Sequence, residues 1–109
     1  MSAGLLYFME YYIYILYSSS SDIYYIGYTS DFEKRFIQHN TSENLTFTSK
    51  HRPWQLKAVY FSGNIEAEAM KIEKFIKKQK SRKLIEKLIA GDMLFGILAQ
   101  LVRVPHVRD

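Results

Sequence analysis

The densest apolar stretch of the chain, Tyr11 to Tyr17, is β-branched or aromatic at nearly every position, which suits a pleated strand rather than a helix. Ser18 to Asp22 interrupts it with turn-forming residues, and Ile23 to Tyr28 resumes the pattern, so the two runs predict a β-hairpin. Ser30-Asp31-Phe32-Glu33 then reads as a capping box, with Ser30 as the cap, opening a helix from about Asp31 to Gln38 or His39. Phe32 and Phe36 give that helix its apolar stripe. Asn40 to Pro53 is polar and turn-rich and reads as a loop; Trp54 to Phe61 reads as a third strand. After a break at Ser62-Gly63-Asn64, Ile65, Ala69, Ile72 and Ile76 recur at helical spacing up to Gln79. A further helix over about Ser81 to Ile89 meets a natural stop at Gly91, and the residues from Asp92 onward are apolar and compatible with a helix.

The order ββαβαα predicts an α+β fold, a small three-stranded antiparallel sheet flanked by helices. A chain of 109 residues, 48% hydrophobic, can bury one modest core, so a single domain over 1–109 is expected, with its core at about 11–90 and a C-terminal extension over 91–109. Met1 to Tyr17 lacks a basic segment and is broken by Glu10, which argues against a signal peptide. Met93 to Val102 is far shorter than the ~20 residues of a membrane helix, so a cytoplasmic protein with no membrane partner is expected. The absence of cysteine excludes a disulfide framework, a thiolate metal site and a cysteine nucleophile. The net charge of +4 favours anionic partners, nucleic acid first, although a solvated surplus of lysine gives the same figure.

Candidate chemistry sits on the hairpin and the two long helices. If Tyr17 pairs with Asp22, Tyr14 lies directly opposite Tyr25 and both phenols share a face, an arrangement open to packing and to chemistry. Arg35 and His39 are four residues apart and share a face of the first helix; Arg35 can pair with Asp31, and His39 can interact with the helix dipole. Glu73 lies at the margin of the apolar stripe of its helix, where it can pair with Lys77 or serve as a lone carboxylate ligand for Mg2+. Lys77, Lys80, Arg82 and Lys83, with Lys50 and Arg52 from the loop, form either a solvated surface or a phosphate-contacting one.

Taken in this order, Tyr25-Ile26-Gly27, Tyr12-Ile13-Tyr14, Arg35 ten residues after Tyr25, and the acidic helix around Glu73 resemble the GIY-YIG nuclease family. The pattern Arg35-x-x-x-His39-Asn40 and the sequence around Arg52 look most like its small stand-alone bacterial members, and resemble the nuclease domains of the excinuclease C subunit and of Slx-type enzymes. Tyr12 stands where the family usually has its first glycine, and Tyr28 where some repair members carry a lysine. The resemblance implies a metal-dependent DNA endonuclease of repair or recombination; the residues themselves do not distinguish DNA from RNA. One Mg2+ or Mn2+ ion would be held by Glu73 and waters. Tyr14 or Tyr25 would act as general base or position the attacking water, with His39 as a rival for the base. Arg35 would lower a phenol pKa and neutralise charge on the phosphate. No sequence-reading module is recognisable, so structure-dependent or weakly specific cutting is expected, with a protein partner conceivable for substrate delivery. A non-catalytic nucleic-acid-binding module that keeps the fold is the alternative, and a protein-interaction domain using Met93 to Val102 is a third reading.

Overall fold

The computed structural model describes residues 9–44 and 46–105; residues 1–8 of the apolar N-terminal run and 106–109 of the expected extension lie outside the described residues. Strands β1 (Tyr11–Ser18), β2 (Ile23–Thr29), β3 (Trp54–Gly63) and β4 (Val102–Arg103) form one antiparallel sheet in the order β2-β1-β3-β4. The helices are α1 (Phe32–Thr41), the short α2 (Thr46–Ser49), α3 (Glu66–Gln79) and α4 (Arg82–Ala90), followed by a 3-10 turn at Gly96–Gln100. The fold is the expected α+β class with one strand more than expected. β4 pairs Tyr60 with Arg103 and Phe61 with Val102, and a two-residue strand is too short to leave a periodic signature.

β1 is central, and its side chains alternate between two buried faces. Ile13 and Ile15 pack with Ala58, Tyr60, Ala69, Ile72, Ile76 and Leu88, under α3 and α4. Tyr14 and Leu16 pack with Trp54 and Val59, with Phe32 and Phe36 of α1 against them. This two-sided burial explains why Tyr11 to Tyr17 reads as a continuous apolar run instead of an alternating one. Beyond Gly91 the chain returns to the first cluster through Leu98 and Leu101.

Four expectations are corrected. The hairpin register places Tyr14 opposite Gly27 and Leu16 opposite Tyr25, a shift of two from the Tyr17–Asp22 pairing. The turn keeps its length but sits one residue later, at Ser19 to Asp22 instead of Ser18 to Ser21; Asp22 adopts a left-handed conformation (φ 54°) and its N–H donates to Ser18 O at 2.7 Å. An even shift preserves faces, so the two phenols remain on one side. The helix cap is Asp31, not Ser30; its carboxylate accepts from Lys34 N at 3.0 Å, and Thr29 Oγ1 accepts from Asp31 N. The expected loop contains α2, whose Thr48 carbonyl accepts from Trp54 Nε1 at 2.8 Å, a tertiary contact no local pattern announces. Ile65 also leaves the expected stripe: it is the α3 N-cap and 61% exposed. Gly91 ends α4 as expected, at φ 80°, and Ser81 caps its start by accepting from Leu84 N.

Candidate active site

The register puts Tyr14 across Gly27. A β-carbon on Gly27 would stand 2.3 Å from Tyr14 Oη and 2.4 Å from its Cζ, so only glycine leaves room for the ring. The phenol is thereby aimed along the sheet toward α1, where Tyr14 Oη and His39 Nε2 are 2.8 Å apart. His39 is 1% exposed, and Nδ1 is buried without a hydrogen-bond partner. Burial, then the Arg35 and Arg52 cations, pushes the His39 pKa down to about 4, so the ring is neutral at physiological pH. A neutral imidazole protonated on Nδ1 accepts the Tyr14 proton on Nε2. Tyr14 is itself pushed up, by burial first and then by neighbouring Tyr25, with Arg35 acting in the opposite direction. The expected lowering by Arg35 is therefore present but outweighed. Tyr25 lies diagonally beside Tyr14, ring centroids 6.3 Å apart, and 4.9 Å from the His39 ring.

Helix α1 supplies Arg35 and His39 one turn apart, as the spacing predicts. Arg35 Nη1 donates to Gln38 Oε1 at 3.1 Å, which leaves other donors of its fork for a ligand. His39 does not sit at a solvent-exposed dipole terminus; it closes the core under Tyr14. Arg52 tethers the end of α1, with Nε donating to His39 O at 2.7 Å and Nη2 to Ser42 O and Gln38 O. Asn40 clamps the same end to β3 through Trp54 N at 2.7 Å and Trp54 O at 3.1 Å.

Tyr14, Tyr25, Gly27, Arg35 and Glu73 line one open cleft of about 510 Å³, together with Tyr28, Glu66 and others. Glu73 forms an ion pair with Lys77 at 3.3 Å on adjacent turns of α3. Glu66 was missed by the sequence reading, although it precedes Glu73 by two helical turns and so shares its face. Its Oε2 accepts from Tyr28 Oη at 3.0 Å. Carboxylates, phenols and hydroxyls make this an all-oxygen donor set. Among the described residues no cluster of three or more acidic or histidine side chains could cage a metal. Such a lining fits a hard cation such as Mg2+ or Mn2+, which uses one or two carboxylates and takes the rest of its shell from water and substrate phosphate.

Of the other basic candidates, Lys77 touches the cleft residues Glu73 and Tyr25, while the rest are not among its lining. Lys77 Nζ sits over the Tyr25 ring at 5.5 Å, and Arg82 pairs with Asp22 at 2.6 Å and with Glu86. Lys50, Lys80 and Lys83 are exposed.

A profile of the GIY-YIG catalytic domain matches residues 10–86, which contain every residue just described. The chain belongs to the GIY-YIG family. It is 40% identical over 80 residues to a UPF0213 protein of Staphylococcus saprophyticus, covering 70% of this chain and 94% of that one. It is 34% identical over 85 residues to the UPF0213 protein YsiG of Lactococcus lactis, covering 78% of this chain and 80% of that one. No solved structure gives a significant match. The two departures from the GIY-YIG pattern are accommodated structurally. Tyr12, in place of the first glycine, packs edge-on against Phe32 at 5.2 Å, away from the cleft lining, and donates to Glu10. Tyr28, in place of a lysine, lines the cleft and holds Glu66. Among the described residues no helix is long and apolar enough to cross a membrane.

Proposed function

We propose that this protein is a divalent-metal-dependent endonuclease that hydrolyses DNA phosphodiester bonds with structural or weak sequence preference, in repair or recombination. The observation that carries the reading is the convergence of Tyr14, Tyr25, Arg35 and Glu73 on one cleft from β1, β2, α1 and α3. Separate elements of a rigid fold aiming a base, a cation and a carboxylate at one space is the arrangement phosphoryl hydrolysis needs.

Glu73 would hold Mg2+ or Mn2+, with Glu66 as the other carboxylate on the cleft lining. When bound, that ion would supply neutralising positive charge to the phosphate. Arg35 donates to a non-bridging phosphate oxygen and stabilises the charge that builds there. Tyr14 orients the attacking water and takes its proton while its own moves to His39 Nε2, the two transfers running together because the raised pKa of Tyr14 opposes a standing phenolate. The lowered pKa of His39 opposes a standing imidazolium, so the proton returns through Tyr14 to the solvent of the open cleft. Tyr25 flanks the water and keeps the His39 ring in place. Lys77 pairs with Glu73 at 3.3 Å and restrains its carboxylate.

The test is incubation of the protein and of Glu73→Ala with labelled branched, flapped and linear DNA in Mg2+, Mn2+ or EDTA. Metal-dependent cutting lost in the variant supports the reading. Salt-sensitive binding by both proteins, with no cutting on any substrate, would instead favour a binding module on this fold.

A further inference from the structure

The cleft continues into a second groove of about 370 Å³ along the outer edge of β2. Among the described residues β2 pairs only with β1, which leaves its other edge without a strand partner there. Tyr24, Tyr25, Phe47, Lys77, Lys80 and Arg82 line the groove, and Tyr25 lines the cleft as well. Lys77 joins the two a second time, since it borders the groove and pairs with Glu73. Phe47 is 53% exposed, and its ring stands 6.2 Å from that of Tyr25 at an interplanar angle of 30°, so two aromatic faces lie nearly side by side. Arg82 covers the Tyr24 ring at 4.9 Å while bound to Asp22, which fixes the far wall. Lys80 is exposed and makes no ion pair among the described residues.

We propose that this groove receives an unpaired DNA strand continuous with the scissile phosphate in the cleft, so that the substrate is DNA with a single-stranded segment. The inference rests on the nuclease reading of the cleft and extends it to a substrate class. The exposed Phe47 ring, with the half-buried Tyr25 ring beside it, offers a base a face to stack on without reading its edges, and only unpaired bases present a free face. Lys80 supplies positive charge beside that ring, while Lys77 is engaged by Glu73 and Arg82 by Asp22 and Glu86. An open strand edge also invites a peptide in β-augmentation, but that occupant has no use for the exposed ring or the lysine.

Fluorescence anisotropy in EDTA tests this without cutting. The probes are a labelled oligothymidylate of about 15 nucleotides and a duplex of equal length. The proteins are wild type, Phe47→Ala and Lys80→Asn; asparagine keeps the left-handed backbone of residue 80 accessible, and Phe47 is exposed, so both variants keep the fold. Wild type should prefer the single strand. Phe47→Ala should weaken that binding about tenfold while duplex binding stays within about twofold. Lys80→Asn should weaken it less and lower the slope of log affinity against log salt by about 0.7. Single-strand binding unchanged in both variants, as expected if a peptide strand fills the edge, overturns the proposal, as does tighter binding of the duplex. The expected binding pattern in a wild type that cuts nothing with Mg2+ would remove the nuclease reading and leave the single-strand groove standing.

Discussion

Tyr14 lies so close across Gly27 that a single added carbon would stand 2.3 Å from its phenolic oxygen. The glycine of the second half-motif is therefore a steric requirement of the tyrosine of the first. Gly27→Ala must displace the ring, break the 2.8 Å contact with His39, and open the packing around Tyr14. We expect a loss of about 1–3 kcal/mol in urea unfolding and a fall in cutting rate of about 100-fold. A variant as stable and as active as wild type would show that the ring is not held as described.

His39 gives the fold a defined pH dependence. Its pKa is near 4 when folded and near the ordinary 6.5 when unfolded, so the unfolded chain binds the extra proton between those values. The contribution is complete above about pH 6.5 and is lost as pH falls toward about 4, by up to about 3 kcal/mol. Urea midpoints of wild type should fall across this window. His39→Leu should flatten that part of the profile and cost about 1–3 kcal/mol at neutral pH, because Tyr14 Oη loses its buried partner. An unchanged slope in the variant would assign the pH dependence elsewhere.

Arg52 is a fastener of α1, bound to the carbonyls of His39, Ser42 and Gln38. Arg52→Ala should therefore cost about 1.5–3 kcal/mol in unfolding free energy. DNA binding at a temperature where the variant is folded should keep its salt slope, since a phosphate contact would reduce that slope by about 0.9. A lowered slope with unchanged stability would return Arg52 to the phosphate-contacting set.

How much of this was legible depended on the range of the interaction. β-branched and aromatic composition located β1, β2 and β3, helical spacing located α3, and glycine chemistry located the end of α4. The parity of the hairpin register survived, so Tyr14 and Tyr25 were correctly put on one face, but the turn, closed by the left-handed Asp22, sits one residue later and the pairing moved by two. The helix cap slipped from Ser30 to Asp31 because either side chain can accept from the first turn. β4 and the burial of His39 depend on contacts over long separations, with Tyr60 and Tyr14 respectively, and the four-residue α2 is too short to leave a local periodicity. At the site, spacing brought Arg35 and His39 to one face of α1. Glu66 was readable in principle, being two turns from Glu73, but its capture by Tyr28 was not.

The measurement that bears most directly on the nuclease site separates its chemistry from its stability. The Glu73–Lys77 pair is partly solvent-exposed, with Lys77 at 47% and Glu73 at 20%, so breaking it should cost no more than about 0.5 kcal/mol. Single-turnover cutting of a flapped DNA in Mg2+ should be followed for wild type and Glu73→Gln, with urea midpoints taken in parallel. We expect wild type to cut, and Glu73→Gln to keep its stability within about 0.5 kcal/mol while losing more than about 100-fold in rate. Equal cutting by both proteins would contradict the assignment of Glu73, and with it the cleft, to metal-dependent phosphodiester hydrolysis.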